Sequence, residues 1–500
     1  MSVDASGMEV WFLTGSQELY GPEALEAVER QARRVAEELD APDGSGRRLP
    51  ARVVFKPVVT TPDSIRRVIT EAGADDSCAG VIAWMHTFSP ARMWISGLQR
   101  LSKPLLHLHT QFNHDLPWSR IDMDFMNLNQ AAHGDREFAH ILTRLGVPRK
   151  TVVGHWGGEH VRARLDSWCR AACGLAEARR LSVARFGDNM RRVAVTEGDK
   201  VSAEIDLGPA VNGYGISEVA DRMAGFGDAE AGALVSEYEE AYDLVPELRA
   251  GGERRSDLVA AARIELALAS FLEETGAGAF TDTFEDLGAL PQLPGIAVQR
   301  LMERGYGFGA EGDWKTAILV RIGKAMARGL DGGTSFMEDY TYNFGAEHPQ
   351  VLGAHMLEVC PSIASARPSC EIHPLDIGGK SDPVRLVFTA PEGPGTVVGL
   401  TDLGGRFRLV VNEVDVVAPE EDLPRLPVAR AVWTPRPSLE VSAEAWMQAG
   451  APHHTCFSQA LTAEVWEDFA RMAGVEAALI DGETSPRSFR RELEWSARSF

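Results

Sequence analysis

Apolar runs and amphipathic segments alternate along the first third of the chain. EALEAVERQARRVAEEL (23–39) and PDSIRRVITEAG (62–73) carry apolar residues at helical spacing, and ARMWISGLQRL (91–101) is also predicted to be a helix. Such alternation predicts βαβ units, in which helices cover both faces of a parallel sheet. The predicted strands are MEVWFLT (8–14), ARVVFKP (51–57), GVIAWM (80–85) and KPLLHLH (103–109).

The same alternation continues through the middle of the chain. TVVGHW (151–156) and LSVARFG (181–187) flank the long helical segment VRARLDSWCRAACGLAEARR (161–180). Helical spacing recurs in three later segments, 256–274, 294–304 and 314–330. The pattern predicts two Rossmann-like or flavodoxin-like α/β domains, an N-terminal one over 1–180 and a central one over 181–330.

After residue 331 the pattern changes to short alternating runs separated by turn residues. Such runs are typical of an antiparallel barrel or sandwich. We therefore expect a β-rich, antiparallel barrel-like C-terminal domain over 331–500. Its clearest predicted strands are VRLVFTA (384–390), TVVGLTDL (396–403), RFRLVVNEVDVV (406–417) and ARAVWTP (429–435).

Composition and charge narrow the functional class. The chain is 44% apolar and 24% charged, as expected for a globular protein, and 50 basic against 72 acidic residues give a net charge of −22. Nucleic acid is an unlikely partner for such a chain, because phosphate backbones are bound by basic patches. The sequence has no signal peptide pattern and no apolar run of about 20 residues that could span a bilayer. Six scattered cysteines are expected to be reduced, so we predict a cytoplasmic protein with no membrane contact.

The stretch GGTSFMEDYTYNF (332–344) carries two carboxylates that need a partner if they are buried. Its alternating aromatic residues predict a strand packed on a core, yet Glu338 and Asp339 interrupt it. Burying a carboxylate without a partner is costly. A positively charged or hydrogen-bonding partner is therefore expected nearby.

Three further segments carry residues able to bind a metal ion. Glu311 lies in the glycine-rich turn GYGFGAEGDWKT (305–316); it could instead stabilise the following helix, and the glycines lack phosphate-loop spacing. His355 precedes an apolar run, and such a histidine is often structural. His453 and His454 are adjacent on an extended segment, so they point to opposite sides. Carboxylates and imidazoles without a thiolate suit Mn²⁺, Co²⁺ or Mg²⁺, although spacing alone leaves the structural roles open.

Long blocks of the chain resemble L-arabinose isomerases. They run from EVWFLTGSQELYGPE near the N-terminus to HHTCFSQAL near the C-terminus, and include MHTFSPARMWISGLQRLSKPLLHLHTQFN, IDMDFMNLNQAAHGDREF, RFGDNMRRVAVTEGDKV, EGDWKTA, GGTSFMEDYTY and HMLEVCPSIA. The resemblance implies an aldose–ketose isomerase that converts L-arabinose to L-ribulose in arabinose catabolism. It also implies the fold described above, two α/β domains followed by a β-rich one.

The resemblance further implies roles for individual residues. Mn²⁺ would be bound by Glu311, Glu338, His355 and His454, and the two glutamates would be the catalytic acid/base pair. No nucleotide cofactor is implied. The family further implies a homohexamer, a pair of trimers, with active sites shared between subunits. The implied sugar contacts are Gln17, Leu19, Tyr20, His133, Met190, Phe284, Ile377 and His453.

Three other functional classes are weighed against this one. A nicotinamide-dependent dehydrogenase would need a glycine fingerprint after the first strand, and LTGSQELYGP does not supply it. A sugar-binding relative without activity would lack one of the four implied ligands, and all four are present. A metallohydrolase could use the same ligands, and its reaction would release a product. The sequence leaves open the choice between L-arabinose and D-galactose, and the preferred metal ion.

Overall fold

The computed structural model describes residues 7–345, 347, 349–375 and 377–498. The chain forms two compact units, one that ends at Ala176 and one that begins at Glu177.

The first unit contains a five-stranded sheet whose paired strands are all parallel. The strand order is β2-β1-β3-β4-β5. The strands are β1 (Glu9–Gly15), β2 (Arg52–Phe55), β3 (Cys78–Met85), β4 (Leu105–His109) and β5 (Lys150–Val153). The helices are α1 (Gly21–Asp40), α2 (Pro62–Ala74), α3 (Ile95–Leu98), α4 (Met123–Leu128), α5 (Ala131–Arg144) and α6 (Glu159–Ala178), the last of which continues into the second unit.

The strand order of this sheet marks where a ligand is expected. The chain reverses its direction of travel across the sheet between β1 and β3, and open α/β sheets bind ligands beyond the carboxyl ends of strands at such a point. The helix expected over 91–101 is shorter here than predicted and only partly α-helical. The segment 91–101 is a 3₁₀ turn, Ala91–Trp94, followed by only one turn of α-helix in α3. This region packs closely on α2, because a Cβ added at Gly97 would lie 2.9 Å from side-chain atoms of Ile65 and Ile69.

The second unit begins with a four-stranded parallel sheet. The strands of this region are β6 (Ser182–Phe186), β7 (Ala210–Tyr214), β8 (Asp243–Leu244), β9 (Ala279–Thr281) and β10 (Gly307–Gly309), and all but β8 form the sheet in the order β10-β9-β6-β7. The helices are α7 (Lys200–Asp206), α8 (Ile216–Met223), α9 (Asp228–Ala241), α10 (Arg255–Thr275), α11 (Gly295–Glu303) and α12 (Trp314–Met326).

The rest of the second unit is built around a closed antiparallel barrel. Its strands are β11 (Thr334–Asn343), β12 (Gln350–Ala354), β13 (Ser369–Ile372), β14 (Val384–Val387), β15 (Gly393–Asp402), β16 (Phe407–Val417), β17 (Arg430–Pro435), β18 (His454–Ser458) and β19 (Glu476–Ile480). Six of them pair in the order β15-β18-β11-β12-β17-β16, and β15 also pairs with β16, which closes the ring. β19 adds to β16 in parallel, and β8, β13 and β14 form a small separate sheet. The helices are α13 (Leu439–Gln448), α14 (Ala463–Ala473) and α15 (Pro486–Ser496).

Helix α12 joins the parallel sheet to the barrel. It is buried along nearly its whole length and contacts β9 and β10 of the sheet as well as β11, β15 and β18 of the barrel. Its predicted extent, 314–330, is four residues too long at the C-terminus. The predicted fold class, α/β with a β-rich barrel-like C-terminal region, is confirmed. A site at the start of α12 is therefore fixed by both sheets.

Candidate active site

Barrel pairing brings Glu338 close to two histidines. On β11, Glu338 is the register partner of His454 on β18, and on its other side it pairs with Ala354 on β12. Side chains of register partners point to the same face of a sheet. His355 directly follows Ala354, just beyond the end of β12, and its Nε2 lies 3.8 Å from Oε2 of Glu338. Three residues far apart in sequence therefore meet here.

Glu311 reaches the same place from the turn between β10 and α12. Its backbone is in the left-handed region, with φ +61°, and Gly312 follows with φ +80°. A backbone N–H of Met190 donates to the carbonyl of Glu311 at 2.9 Å, and the Asn189 side chain donates to the carbonyl of Gly312 at 3.0 Å. A non-glycine residue at positive φ is strained, and the surrounding contacts must hold it there.

Asp313, and not Glu311, caps helix α12. The Asp313 side chain accepts a hydrogen bond from the backbone N–H of Thr316 at 3.3 Å. The alternative that Glu311 serves as a helix-stabilising acid is thus not what the structure shows. The Glu311 carboxylate is instead left near His454, whose Nε2 lies 3.9 Å from Glu311 Oε2.

The two buried imidazoles each face one carboxylate at a distance too long for a hydrogen bond. Nε2 of His355 lies 3.8 Å from Oε2 of Glu338, much like the His454–Glu311 pair. The rings of His355 and His454 have centroids 5.7 Å apart, and the ring of Phe336 packs against both, at 4.9 and 5.1 Å. The aromatic ring thereby limits how far either imidazole can rotate.

Two further carboxylates, which were not predicted from the sequence, orient these imidazoles. Nδ1 of His355 donates to Glu358, and Nδ1 of His454 donates to Asp313 Oδ2 at 3.2 Å. With its proton on Nδ1, each ring carries a bare lone pair on Nε2. Both Nε2 atoms are buried and have no hydrogen-bond partner among the described residues. Asp313 and Glu358 stand inside the EGDW and HMLE blocks, which is the one signal that could have found them.

The donor set fits a divalent metal ion. Bonds of about 2.1 Å to one ion place neighbouring ligand atoms about 3 to 4 Å apart, as the two histidine–carboxylate pairs are. Imidazoles held by a carboxylate through the other ring nitrogen are a common arrangement around metals. One group of three among the described residues has its ligand atoms all within 4.8 Å of one another, and it joins Glu311 and His454 with His453. The expectation that the two adjacent histidines point to opposite sides is therefore wrong. His453 lies beside His454, with ring centroids 4.3 Å apart.

Negative charge concentrates around these histidines. Burial raises the pKa of Glu338; the nearby His355 and His454 oppose this effect, and the charges of Glu311 and Glu358 add to it. Burial disfavours the charged form of His355, yet Glu358 and Glu338 raise its pKa above the usual value. A cation bound here would relieve the repulsion between the carboxylates.

His453 and Asp282 are also electrostatically unusual. Burial, together with the neighbouring His454, lowers the pKa of His453 to about 4, so its ring is neutral at physiological pH. Asp282 follows β9, and burial raises its pKa to about 7; the charge of Glu358 adds to the shift and His355 opposes it.

Predicted sugar contacts in the second unit gather at the carboxyl edge of its parallel sheet. Met190 follows β6 and Phe284 follows β9, on strands that neighbour one another, and Glu311 follows the next strand, β10. Ile377 is half-buried, and a Cβ added at the adjacent Gly378 would lie 3.2 Å from the carbonyl of Phe284. This edge is where parallel sheets bind ligands.

The remaining predicted contacts belong to the first unit and lie beyond the carboxyl ends of β1 and β3. Gln17 is half-buried, whereas Leu19 is 82% exposed. Tyr20 donates its hydroxyl to Oε1 of Gln130 at 2.6 Å. His133 is exposed and stacks on Phe88, with ring centroids 5.3 Å apart.

Gln130 is a further candidate sugar contact that was not predicted from the sequence. Its Oε1 also accepts the backbone N–H of Phe88 at 3.3 Å, so its amide is held at the edge of this sheet. It stands within the block NLNQAAHGDREF, immediately before the segment that contains His133. Its position inside a block that resembles L-arabinose isomerases is the feature of the sequence that could have identified it.

Comparisons with known proteins cover nearly the whole chain. Family models match residues 4–180 to the L-arabinose isomerase N-terminal domain, 182–329 to the central domain and 333–476 to the C-terminal domain. An L-arabinose isomerase of a Nocardioides species is 60% identical over 98% of this chain and 97% of its own length. Those of Geobacillus stearothermophilus and an Arthrobacter species are 59% and 58% identical, again over 98% of this chain and 97% and 96% of their own lengths.

None of the helices in the described part of the chain has the length and apolar character that a bilayer-crossing span requires.

Proposed function

The chain belongs to the L-arabinose isomerase family, and from this premise we propose that it converts L-arabinose to L-ribulose in L-arabinose catabolism. One observation supports the placing of the active site at the histidine and glutamate cluster. Two buried imidazole nitrogens without hydrogen-bond partners among the described residues each lie within 3.9 Å of a carboxylate oxygen.

We propose that Glu311 and Glu338 share the proton transfers. Moving a carbonyl group from C1 to C2 requires removal of the C2 proton and delivery of a proton to C1, through an enediol. The charge of Glu311 contributes to the raised pKa of Glu338, which supports the view that both carboxyls act on one substrate. They come from different elements, the turn before α12 and strand β11, so they can approach the two carbons from separate directions.

We propose that Mn²⁺, with Co²⁺ or Mg²⁺ as alternatives, binds to Glu311, Glu338, His355 and His454. When bound, a divalent ion supplies positive charge that stabilises developing negative charge on substrate oxygens. The oriented Nδ1 protons of the two histidines support this ligand set. No nucleotide cofactor is part of the proposal.

His453 is the competing ligand, and we assign it to the sugar instead. No carboxylate orients its ring within the described residues, whereas Glu358 orients His355. A neutral imidazole beside the centre can donate or accept a hydrogen bond with a sugar hydroxyl, which supports a role in substrate binding. Met190, Phe284 and Ile377 are proposed to line the same sugar site.

We propose that the first unit of another subunit completes the site in a homohexamer of two trimers. Apolar side chains stand exposed on this unit close in sequence to the predicted sugar contacts, and large exposed apolar patches often mark interfaces. Leu19 and Trp118 are 82% and 80% exposed, and Met123 and Met126 are 64% and 52% exposed. Gln17, Tyr20 and His133 would then contact the sugar bound to the neighbouring subunit.

We propose a cytoplasmic location because the cysteines form no disulfides. All six are free and buried, as expected for a protein that folds under reducing conditions.

Ketose formation from L-arabinose by wild-type protein and by Glu338→Gln tests the proposal. We expect the wild type to form L-ribulose in the presence of Mn²⁺, and the variant to lose at least about 100-fold in kcat, because general acid–base groups contribute this much. Glu420→Gln, an exposed acid in the loop after β16, is the matched control and should keep wild-type turnover. A folded Glu338→Gln variant with near-normal kcat would refute the assigned role.

A further inference from the structure

Asp282 lies in the middle of the row of residues that follows the parallel sheet of the second unit. It is the first residue after β9, between β10, which leads to Glu311, and β6, which leads to Met190. The backbone N–H of Gly312 donates to the carbonyl of Asp282 at 2.9 Å, so the turn that carries Glu311 is tied directly to it. Residues at this edge of a parallel sheet are the ones that meet a ligand.

The Asp282 side chain is buried and has no partner among the residues that the structure describes. The residue is 8% exposed, and its carboxyl makes no hydrogen bond or ion pair with any residue that the structure describes. The charged groups that act on its pKa are Glu358 and His355, both at the candidate metal centre. Glu358 cannot serve as its donor, because that carboxylate already accepts from Nδ1 of His355 and from the backbone N–H of Leu357.

A buried carboxyl with free oxygens requires hydrogen-bond donors from elsewhere. An open-chain aldose brings several hydroxyl donors into a site where two oxygens, on C1 and C2, are engaged by the reaction itself. We propose that Asp282 is a substrate-binding residue that hydrogen-bonds a hydroxyl beyond C2 of the aldose and so contributes to the choice of sugar. This inference rests on the proposed function.

The test compares Asp282→Ala and Asp282→Asn with wild type on L-arabinose and on its 3-, 4- and 5-deoxy analogues. Loss of a hydrogen bond to a carboxyl is expected to raise KM about 10- to 100-fold for L-arabinose while kcat changes little. For the one analogue that lacks the contacted hydroxyl, the variants should have the same KM as wild type. For the other two analogues, the increase in KM should persist. Asp221→Asn, an exposed acid on α8, is the control and should leave every constant unchanged.

Binding of L-arabinitol, a polyol that cannot isomerise, gives a readout independent of turnover. Calorimetry in the presence of Mn²⁺ should show weaker L-arabinitol binding to both Asp282 variants and unchanged Mn²⁺ affinity. The inference would be overturned if KM rose equally for all analogues, or if KM and polyol binding were unchanged. A matching loss of Mn²⁺ affinity would also overturn it, because that result would indicate that Asp282 acts through Glu358.

The outcomes also separate this inference from the proposed function. If the wild type isomerises L-arabinose and the variants match it, only the role of Asp282 fails. If the wild type neither isomerises L-arabinose nor binds L-arabinitol, the proposed function fails, and the inference falls with it.

Discussion

Glu338 and His454 are register partners on adjacent antiparallel strands of the barrel, β11 and β18. This pairing explains how β11 can carry a half-buried carboxylate directly after its buried residues. The carboxylate lies near His454 on β18 and near His355 just after β12, and Phe336 packs against both imidazole rings. The barrel thus builds one half of the candidate centre, and the turn before α12 supplies the other.

The carboxylates that orient the imidazoles are expected to control metal affinity. Glu358→Gln and Asp313→Asn remove the charge that holds the Nδ1 proton of His355 and His454. We expect Mn²⁺ affinity to fall about 10- to 100-fold, as is usual when such partners are lost. Calorimetric titration of the metal-free proteins measures this. Unchanged affinity in both folded variants would show that the two contacts are structural only.

Glycine at position 312 is expected to be indispensable. Its φ is +80°, and an added Cβ would lie 2.5 Å from the Cα of Asn189, a backbone atom that cannot easily move. Gly312→Ala should therefore lower the free energy of unfolding by about 3 kcal/mol or more and displace Glu311. Gly329→Ala is the matched control, because Gly329 has φ +71° with open space around it, and should cost only about 1 kcal/mol. Denaturant unfolding compares the two, and equal losses would contradict the packing argument.

Asp339 is expected to destabilise the protein at neutral and higher pH. Its Oδ1 is buried without a hydrogen-bond partner among the described residues, and burial, together with the charge of Glu338, raises its pKa to about 7. A carboxyl whose folded pKa is raised contributes stability below its unfolded pKa of about 4 and loses it as pH rises through 7.

Asp339→Asn removes that ionisation while it keeps the shape of the side chain. The variant should exceed wild type in unfolding free energy by about 1 to 3 kcal/mol at pH 8, and the gain should be smaller at pH 5. Chemical denaturation of the metal-free proteins at both pH values measures the difference. A gain that is the same at pH 5 and pH 8 would show that ionisation of Asp339 is not its cause.

Sharing of sites between subunits predicts complementation. Gln17→Ala impairs the first unit and Glu338→Gln impairs the second, so mixed oligomers should contain intact sites that neither variant forms alone. Random assembly in equal amounts should restore about a quarter of the sites. Co-expression followed by assay of ketose formation measures the recovery. A mixture of Glu311→Gln and Glu338→Gln is the control and should show no recovery of ketose formation, because both changes impair the second unit. If the mixture of Gln17→Ala and Glu338→Gln also showed no recovery, each site would lie within one chain.

Much of the architecture was predictable because its signals are local. Strand–helix alternation predicted the two parallel sheets, and period-two runs predicted the barrel strands, each from neighbouring residues alone. The helix predicted over 91–101 forms only over residues 91–98, half of it as a 3₁₀ helix, because periodicity does not fix where a helix ends or which helix type forms. The family, and with it the isomerase reaction, was also predictable, because the resembling blocks are long.

The candidate site was predictable only in part. Barrel closure sets which residues of β11, β12 and β18 become neighbours, and no local pattern contains that register. The roles of Asp313 and Glu358 likewise depend on where a histidine ring nitrogen points. The unpartnered carboxyl of Asp282 appears only when its surroundings are known.

Ketose formation from L-arabinose by metal-stripped protein tests the central claim most directly. The protein is treated with a chelator, its residual metal content is measured, and L-ribulose production is followed as Mn²⁺ is added back. The account predicts that turnover is lost on stripping and returns in full at about one ion per chain. Undiminished L-ribulose production by protein shown to be free of metal would contradict it.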